Sequence, residues 1–339
     1  MQSGFFDLDN RLQLLEKLGD PLPKLNRCVT WEDFRPILKR IREQPRKSTA
    51  GRKPYDSILM FKILVLQHLY GLADDQTEYQ IRDRYSFCHF LSLTPEGRVP
   101  DAKTIWVFKE HLKHHDLMDE LFARLTQMID MAGYVSRQGQ IIDASIVAAP
   151  KQRNSRKDNA KIKTGEVPED WKDKPSMLRQ KDCDARWTQK HGKSHYGYKN
   201  HISVDNKHKV IRHFEVTPAS VHDSQVFDVL LDDTNTSGDV WADSAYRSKA
   251  QEEQLVIDGY RSHINTKGRR GKPVSACQMR ANRKRSKVRS RVEHIFGAQK
   301  VMGGQVVRSI GLQRARIKIA LTNMVYNMRR LVWLNGVKG

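Results

Sequence analysis

Gln140-Ile141-Ile142-Asp143-Ala144-Ser145-Ile146-Val147 is an apolar run broken by one acid and bounded by Gly139 and Pro150. Isoleucine and valine at this density read as a β-strand buried on both faces. Aspartate is depleted in strands and expensive to bury without a partner. Asp143 is therefore either a turn-capping residue at an exposed strand end or a carboxylate held on a rigid element as a metal ligand. The second reading requires further carboxylates elsewhere in the chain.

Downstream of this strand the pattern alternates strands with helices. After Pro150 comes a polar tract to about His195, expected to be flexible or partly helical because compact domains rarely hold a structureless loop of that length. His195–Asp205 and Lys209–Thr217, joined by Asn206-Lys207-His208, read as a hairpin. A helix from Asp223 to Leu231, a strand Asp239–Asp243, a helix Ser248–Gly259 and a short strand Arg261–Asn265 follow. Two helices close the chain, Gln278–Gln299 and Leu312–Leu334. This order predicts an α/β (α+β) fold, a mixed sheet with helices on its faces.

Upstream, the chain reads as helical. Helices are expected at Leu8–Leu18, Trp31–Arg42, Ile58–Tyr70 after an Asp56-Ser57 cap, Thr77–Phe90, Ala102–His114 capped by Asp101, and Leu117–Ala132. The breaker-rich basic stretch Arg46–Lys53 reads as a linker or DNA-backbone arm. Two domains follow: 1–135, helical, for DNA binding, dimerisation or both, and 136–339, carrying the sheet with a polar insertion at about 151–195.

Composition narrows the partner. The 339 residues hold 60 Lys and Arg against 39 Asp and Glu, a net charge of +21, which implies a polyanion and first of all nucleic acid. No apolar run spans a bilayer and the N-terminus lacks a secretory pattern, so a cytoplasmic, nucleoid-associated protein without a membrane partner is expected. The four cysteines form no CxxC pair, which argues against a zinc finger or a disulfide framework.

Two further acids stand out. Asp243 ends the strand Val240-Trp241-Ala242, repeating the feature of Asp143, and ligands collect at the carboxyl ends of strands in open sheets. Glu293 follows a stretch, Arg261 to Arg291, with twelve Lys and Arg and no acid. Helical spacing places Arg289, Glu293 and Lys300 on one face. Asp205 and Asp223 read as turn or N-cap residues, Asp182 and Asp184 as solvated charges, and His222 as an ordinary turn histidine.

Asp143 in Ile141-Ile142-Asp143-Ala144-Ser145, Asp243 in Ala242-Asp243-Ser244-Ala245-Tyr246 and Glu293 in Arg291-Val292-Glu293-His294-Ile295-Phe296-Gly297 resemble the three acids of bacterial insertion-sequence DDE transposases, closest to the group named after insertion sequence five. Asp184-Ala185-Arg186-Trp187, Tyr196-Gly197-Tyr198-Lys199-Asn200-His201 and Thr217-Pro218-Ala219-Ser220-Val221-His222-Asp223-Ser224 support it, as do Tyr55–Lys62 and Val99–Ile105 in the helical half. Many relatives carry Lys-Gly where this chain has Ser244-Ala245.

The resemblance implies a ribonuclease H-like catalytic core and DNA cleavage with joining of 3′-OH ends to target DNA. It assigns Asp143, Asp243 and Glu293 as catalytic residues and ligands of two Mg²⁺ ions, with Mn²⁺ able to substitute. In-line displacement at phosphorus suits such a site, because Mg²⁺ binds through a few carboxylates plus waters and phosphates. The expected partners are double-stranded DNA, as terminal inverted repeats and target, and a second copy of the chain. Expected DNA contacts are Tyr246, Arg247, Lys267, Arg269, Arg270, Arg283, Lys284, Arg285, Lys287, Arg289, Arg291 and Lys300. A nuclease on the same core would present identical acids and differ only in strand transfer. A non-catalytic transposase-derived DNA-binding protein would lack at least one of them.

Overall fold

The computed structural model describes residues 7–42, 53–94, 96–134, 136–190, 192–268, 271 and 273–338. The chain divides into two compact units, Met1–Met128 with Met324–Gly339, and Ile129–Asn323. The division falls before residue 135, and the end of the chain groups with the first unit.

The first unit is helical: α1 (Asp7–Lys17), α2 (Leu22–Cys28), a 3-10 turn Trp31–Phe34, α3 (Arg35–Lys39), α4 (Ser57–Leu69), α5 (Asp74–Asp83), α6 (Tyr85–Phe90), α7 (Ala102–His114) and α8 (Met118–Met131), which runs into the second unit. The expected caps form. Asp56 accepts from the amides of Ile58 and Leu59 at 2.9 and 3.2 Å, and Asp101 from Thr104 at 2.7 Å. Helix α4 is buried on nearly all sides, so even Lys62 lies inside, its ammonium donating to Asn26 Oδ1 at 3.0 Å. Burial lowers the Lys62 pKa to about 8. Arg84 adopts an extended conformation between α5 and α6, so the predicted single helix Thr77–Phe90 is two. Helix α2 was not expected; its prolines sit at the start, where a missing amide hydrogen is harmless. No single helix among the described residues is long and apolar enough to cross a membrane; α4 and α5 reach that composition only as a pair bent by 102°.

The second unit is built on a six-stranded mixed sheet. Its elements are β1 (Gln140–Ala148), α9 (Arg156–Lys163), α10 (Glu169–Lys172), α11 (Pro175–Leu178), β2 (Arg186–Lys190), β3 (Lys193–Asp205), β4 (Ile211–Pro218), α12 (Phe227–Leu230), β5 (Asp239–Ala242), α13 (Lys249–Ile257), β6 (Arg261–Ser262), α14 (Ala276–Arg289), α15 (Glu293–Val301) and α16 (Leu312–Lys338), the last continuing into the first unit. The sheet order is β2-β3-β1-β5-β6, with β4 on β3. Strand β1 pairs antiparallel with β3 and parallel with β5. A hairpin-linked antiparallel set followed by two parallel strands is the order predicted from the sequence, and the mixed α/β core that the resemblance implies.

Packing explains the central place of β1. Ile142 joins Val226, Phe227, Leu230, Val240, Ala242, Tyr246, Leu255 and Ile264 in one buried cluster beneath α12 and α13. A buried amide network ties β3 to α15 and α16: Asn200 Nδ2 donates to Asn323 Oδ1 at 2.9 Å, and Gln299 Nε2 donates to the same oxygen at 2.7 Å. Buried amides satisfied this way fix one arrangement of the elements that carry them.

The polar tract is more ordered than predicted. It forms three short helices and contributes β2 to the sheet. Asp182 is buried, which overturns its reading as a solvated charge, because Tyr198 and the amides of Asp184 and Ala185 all donate to it. Asp184 is likewise employed, accepting from the Leu312 amide at 2.8 Å at the start of α16. Asp205 is the expected turn residue and accepts from Lys207 and His208. His222, and not Asp223, caps the following 3-10 turn.

Candidate active site

The parallel pairing of β1 and β5 ends at Ile142 opposite Ala242, which leaves Asp143 and Asp243 at the next register position of adjacent strands. Strand β5 stops there, while β1 continues along β3 to Ala148. Where the β5 ladder ends, the Ala144 amide donates to Asp143 Oδ1 at 2.8 Å. Asp243 Oδ1 accepts from the Ala245 amide at 2.7 Å and caps the 3-10 turn Ser244–Tyr246. Each carboxylate thus commits one oxygen to a backbone amide and keeps the other for a further partner.

For Asp143 that partner is Arg289, whose Nη1 lies 2.6 Å from Oδ2. Burial pushes the Asp143 carboxyl above the usual carboxylate range, Arg289 pulls it back, and Asp243 adds a smaller upward push. Lys190, at the end of β2, is also within electrostatic reach of Asp143, which sequence order did not suggest. A guanidinium held at Oδ2 marks a seat for positive charge. Two hard oxygen donors at one register level suit a divalent cation such as Mg²⁺ in chemistry.

Glu293 is placed differently. It opens α15 and is exposed, and among the described residues no three His, Cys, Asp or Glu side chains converge to hold one ion. The strand register brings Asp143 and Asp243 together, and Glu293 forms no three-residue metal-holding group with them among the described residues. The predicted shared face of Arg289 and Glu293 is interrupted by the 3-10 turn Ser290–Val292. Three residues per turn instead of 3.6 rotate the following side chains by roughly 60° over that turn.

Besides Arg289 and Tyr246, the predicted DNA contacts divide into three groups. Arg283, Lys284, Lys287, Lys267 and Lys300 are exposed and pair with no acid among the described residues. Helix α14, which carries the first three, lies against β1 and β5 and has no buried residue. Arg247, Arg285 and Arg291 are engaged locally. Arg247 bonds Thr266 Oγ1 and Glu252, Arg285 donates to the Ile264 carbonyl at 2.9 Å, and Arg291 donates to Asn206 Oδ1 at 2.6 Å. Arg269, Arg270 and most of the stretch Arg46–Lys53 lie outside the described residues.

Tyr246 departs from expectation. It is fully buried against Phe227, with ring centroids 5.5 Å apart, so it presents no surface to DNA. Its hydroxyl has no hydrogen-bond partner among the described residues, and burial together with Asp223, Asp143 and Asp243 raises its pKa well above the ordinary value. Asp223 belongs to this neighbourhood and accepts from Lys199 Nζ at 2.7 Å. The sequence offered a signal for it in Val221-His222-Asp223-Ser224, but a cap reads identically.

A carboxylate pair where the ladder of two adjacent parallel strands ends, flanked by an acid-free basic helix, defines an α/β enzyme suited to a polyanionic substrate. The model of the Transposase DDE domain matches residues 135–328, and that of the Transposase domain (DUF772) matches residues 9–111. The chain belongs to the DDE-domain transposase family and is a DNA transposase. Neither match selects the insertion sequence five group within that family. The chain is also similar to the piggyBac transposase in a cryo-EM structure of its synaptic complex with hairpin DNA, at 12% identity and a TM-score of 0.45, over 94% of this chain and 76% of that one.

Proposed function

We propose that this transposase cleaves DNA at the ends of its insertion sequence and joins the freed 3′-OH ends to target DNA by in-line displacement at phosphorus. The observation that carries this reading is the shared register of Asp143 and Asp243 beside basic helix α14. Asp143 and Asp243 would hold the divalent ions, and Glu293, which forms no three-residue metal-holding group with them among the described residues, would become the third ligand when ions and DNA bind. When bound, Mg²⁺, or Mn²⁺ in its place, supplies activation of the attacking oxygen and charge stabilisation of the leaving one.

The chain's own residues orient the substrate. The exposed cations of α14 bind phosphates along the duplex, an attraction that carries no sequence information. Recognition of the terminal inverted repeats is therefore assigned to the helical first unit. Two ends must be joined in one event, so the working assembly is a homodimer on double-stranded DNA, which places the protein at the nucleoid.

The test uses a duplex carrying the cognate ends, Mg²⁺, and the variants Asp143→Asn, Asp243→Asn and Glu293→Gln. Each is expected to lose cleavage and joining by about a thousandfold or more, on the scale of ~4 kcal/mol of lost charge stabilisation. Wild-type rates in the Asp143 or Asp243 variant would remove the assignment. Nicking without joining by the wild type would make the protein a nuclease on the same core.

A further inference from the structure

We propose that Arg289 is a latch on Asp143 that competes with the divalent cation and is released onto a DNA phosphate. The proposal rests on the reading of Asp143 as a metal ligand and adds a mechanism by which DNA and cation binding become coupled.

Three observations carry it. Asp143 Oδ1 is committed to the Ala144 amide, so Oδ2 is the oxygen left for a cation, and Arg289 Nη1 sits on it at 2.6 Å. The contact is shielded, with the Asp143 and Arg289 side chains 13% and 23% exposed, so little water screens it. A guanidinium and a dication on one carboxylate would lie a few ångströms apart, and each weakens the other's hold. Finally, Arg289 Nε is buried and has no hydrogen-bond partner among the described residues, so donor capacity beyond the Asp143 contact is unused there.

Its position suits the exchange. Arg289 is the last residue of α14, two positions after the exposed Lys287, and the 3-10 turn Ser290–Val292 follows it directly. A guanidinium presents a planar fork that matches a phosphate bidentately, which a single bond to one carboxylate oxygen does not use. A phosphate arriving along α14 gives Arg289 a second partner and opens Oδ2, and a cation on Oδ2 frees Arg289 for the phosphate. Linkage makes the effect reciprocal: DNA strengthens cation binding by the same factor as the cation strengthens DNA binding.

The test measures Mn²⁺ binding to the full-length, DNA-free protein by calorimetry, with fold monitored by circular dichroism. Arg289→Gln is expected to bind Mn²⁺ about tenfold or more tighter than wild type, since a charge-assisted bond no longer has to be displaced. Asp143→Asn is expected to lose that binding. A short duplex lacking the terminal repeats should then raise Mn²⁺ affinity more in wild type than in Arg289→Gln. Should Arg289→Gln not fold, Arg289→Lys carries the same measurement with a smaller expected gain of about threefold, because an ammonium lacks the fork. Unchanged or weaker Mn²⁺ binding in the folded Arg289 variant, with binding still lost in Asp143→Asn, overturns the latch and leaves the metal reading standing. Wild-type Mn²⁺ binding by Asp143→Asn overturns both.

Discussion

Tyr198 points its hydroxyl into the Asp182 carboxylate, 2.8 and 2.7 Å from its two oxygens, in the interior of the second unit. Asp182 also accepts from the amides of Asp184 and Ala185, so one carboxylate organises the end of the polar tract against β3. Burial and this carboxylate raise the Tyr198 pKa far above the ordinary phenol value. Replacing Asp182 by Ala leaves a buried hydroxyl and two amides without acceptors, and is expected to destabilise the protein by about 3 kcal/mol or more. Urea unfolding of Asp182→Ala and Asp182→Asn measures it, and the Asn variant should recover most of the loss.

His201 makes stability depend on pH. It is fully buried, its Nε2 lies 2.9 Å from Thr217 Oγ1, and burial lowers its pKa from 6.5 to about 4. Between those values the unfolded chain binds a proton that the folded chain does not, so stability falls as pH drops from about 6.5 towards 4. The contribution lost is about 3 kcal/mol at most. Asp143 and Asp205, whose carboxyls burial raises, slope the other way, so the comparison must be made against His201→Gln. Thermal melts from pH 4 to 7 should show a flatter profile in that variant, and parallel profiles would refute the assignment.

The exposed cations of α14 set the salt dependence of DNA binding. The triple variant Arg283→Ala, Lys284→Ala, Lys287→Ala is expected to reduce the slope of log affinity against log salt by about 2 to 3, since each phosphate contact contributes roughly 0.9. Fluorescence anisotropy on a random-sequence duplex across a potassium chloride series reads this slope. An unchanged slope would place the DNA path elsewhere.

Gly197 cannot carry a side chain. Its φ is +149°, and a Cβ there would meet the Val147 carbonyl oxygen at 2.2 Å and the Ala149 nitrogen at 2.7 Å. These are backbone atoms of the strand bearing Asp143 and of the residue just past its end, so they cannot give way cheaply. Gly197→Ala is expected to destabilise the protein by about 2–4 kcal/mol and to reduce DNA cleavage through displacement of β1. A variant with wild-type stability would show that β1 and β3 separate freely at this point.

The sheet and two of the three acids were legible in the sequence for a shared reason. Asp143 is the one acid in an apolar run and Asp243 directly follows the apolar Val240-Trp241-Ala242, and a strand's period of two leaves little freedom in placing such a residue. Glu293 was conspicuous for its lone charge, but its direction depended on whether Ser290–Val292 turns with 3.6 or three residues, a difference that side-chain pattern does not record. Asp182 and β2 were hidden because a charged, alternating tract looks solvated until a distant residue, here Tyr198, supplies its partner. Tyr246 was misplaced because a residue following a strand reads equally as a surface or a core residue.

Strand β1 is flanked by β3 along its whole length and by β5 for only its first three residues. Beyond Ile142 the opposite edge has no neighbouring strand among the described residues until Ala148 bonds to Gln305 and Val307. Its amide protons therefore fall into two populations in deuterium exchange. Those facing β3 are released only when the sheet opens, and those facing the gap exchange through local fluctuation unless something covers them. Exchange along this one strand would report occupancy of the site directly, in a protein that has turned over nothing.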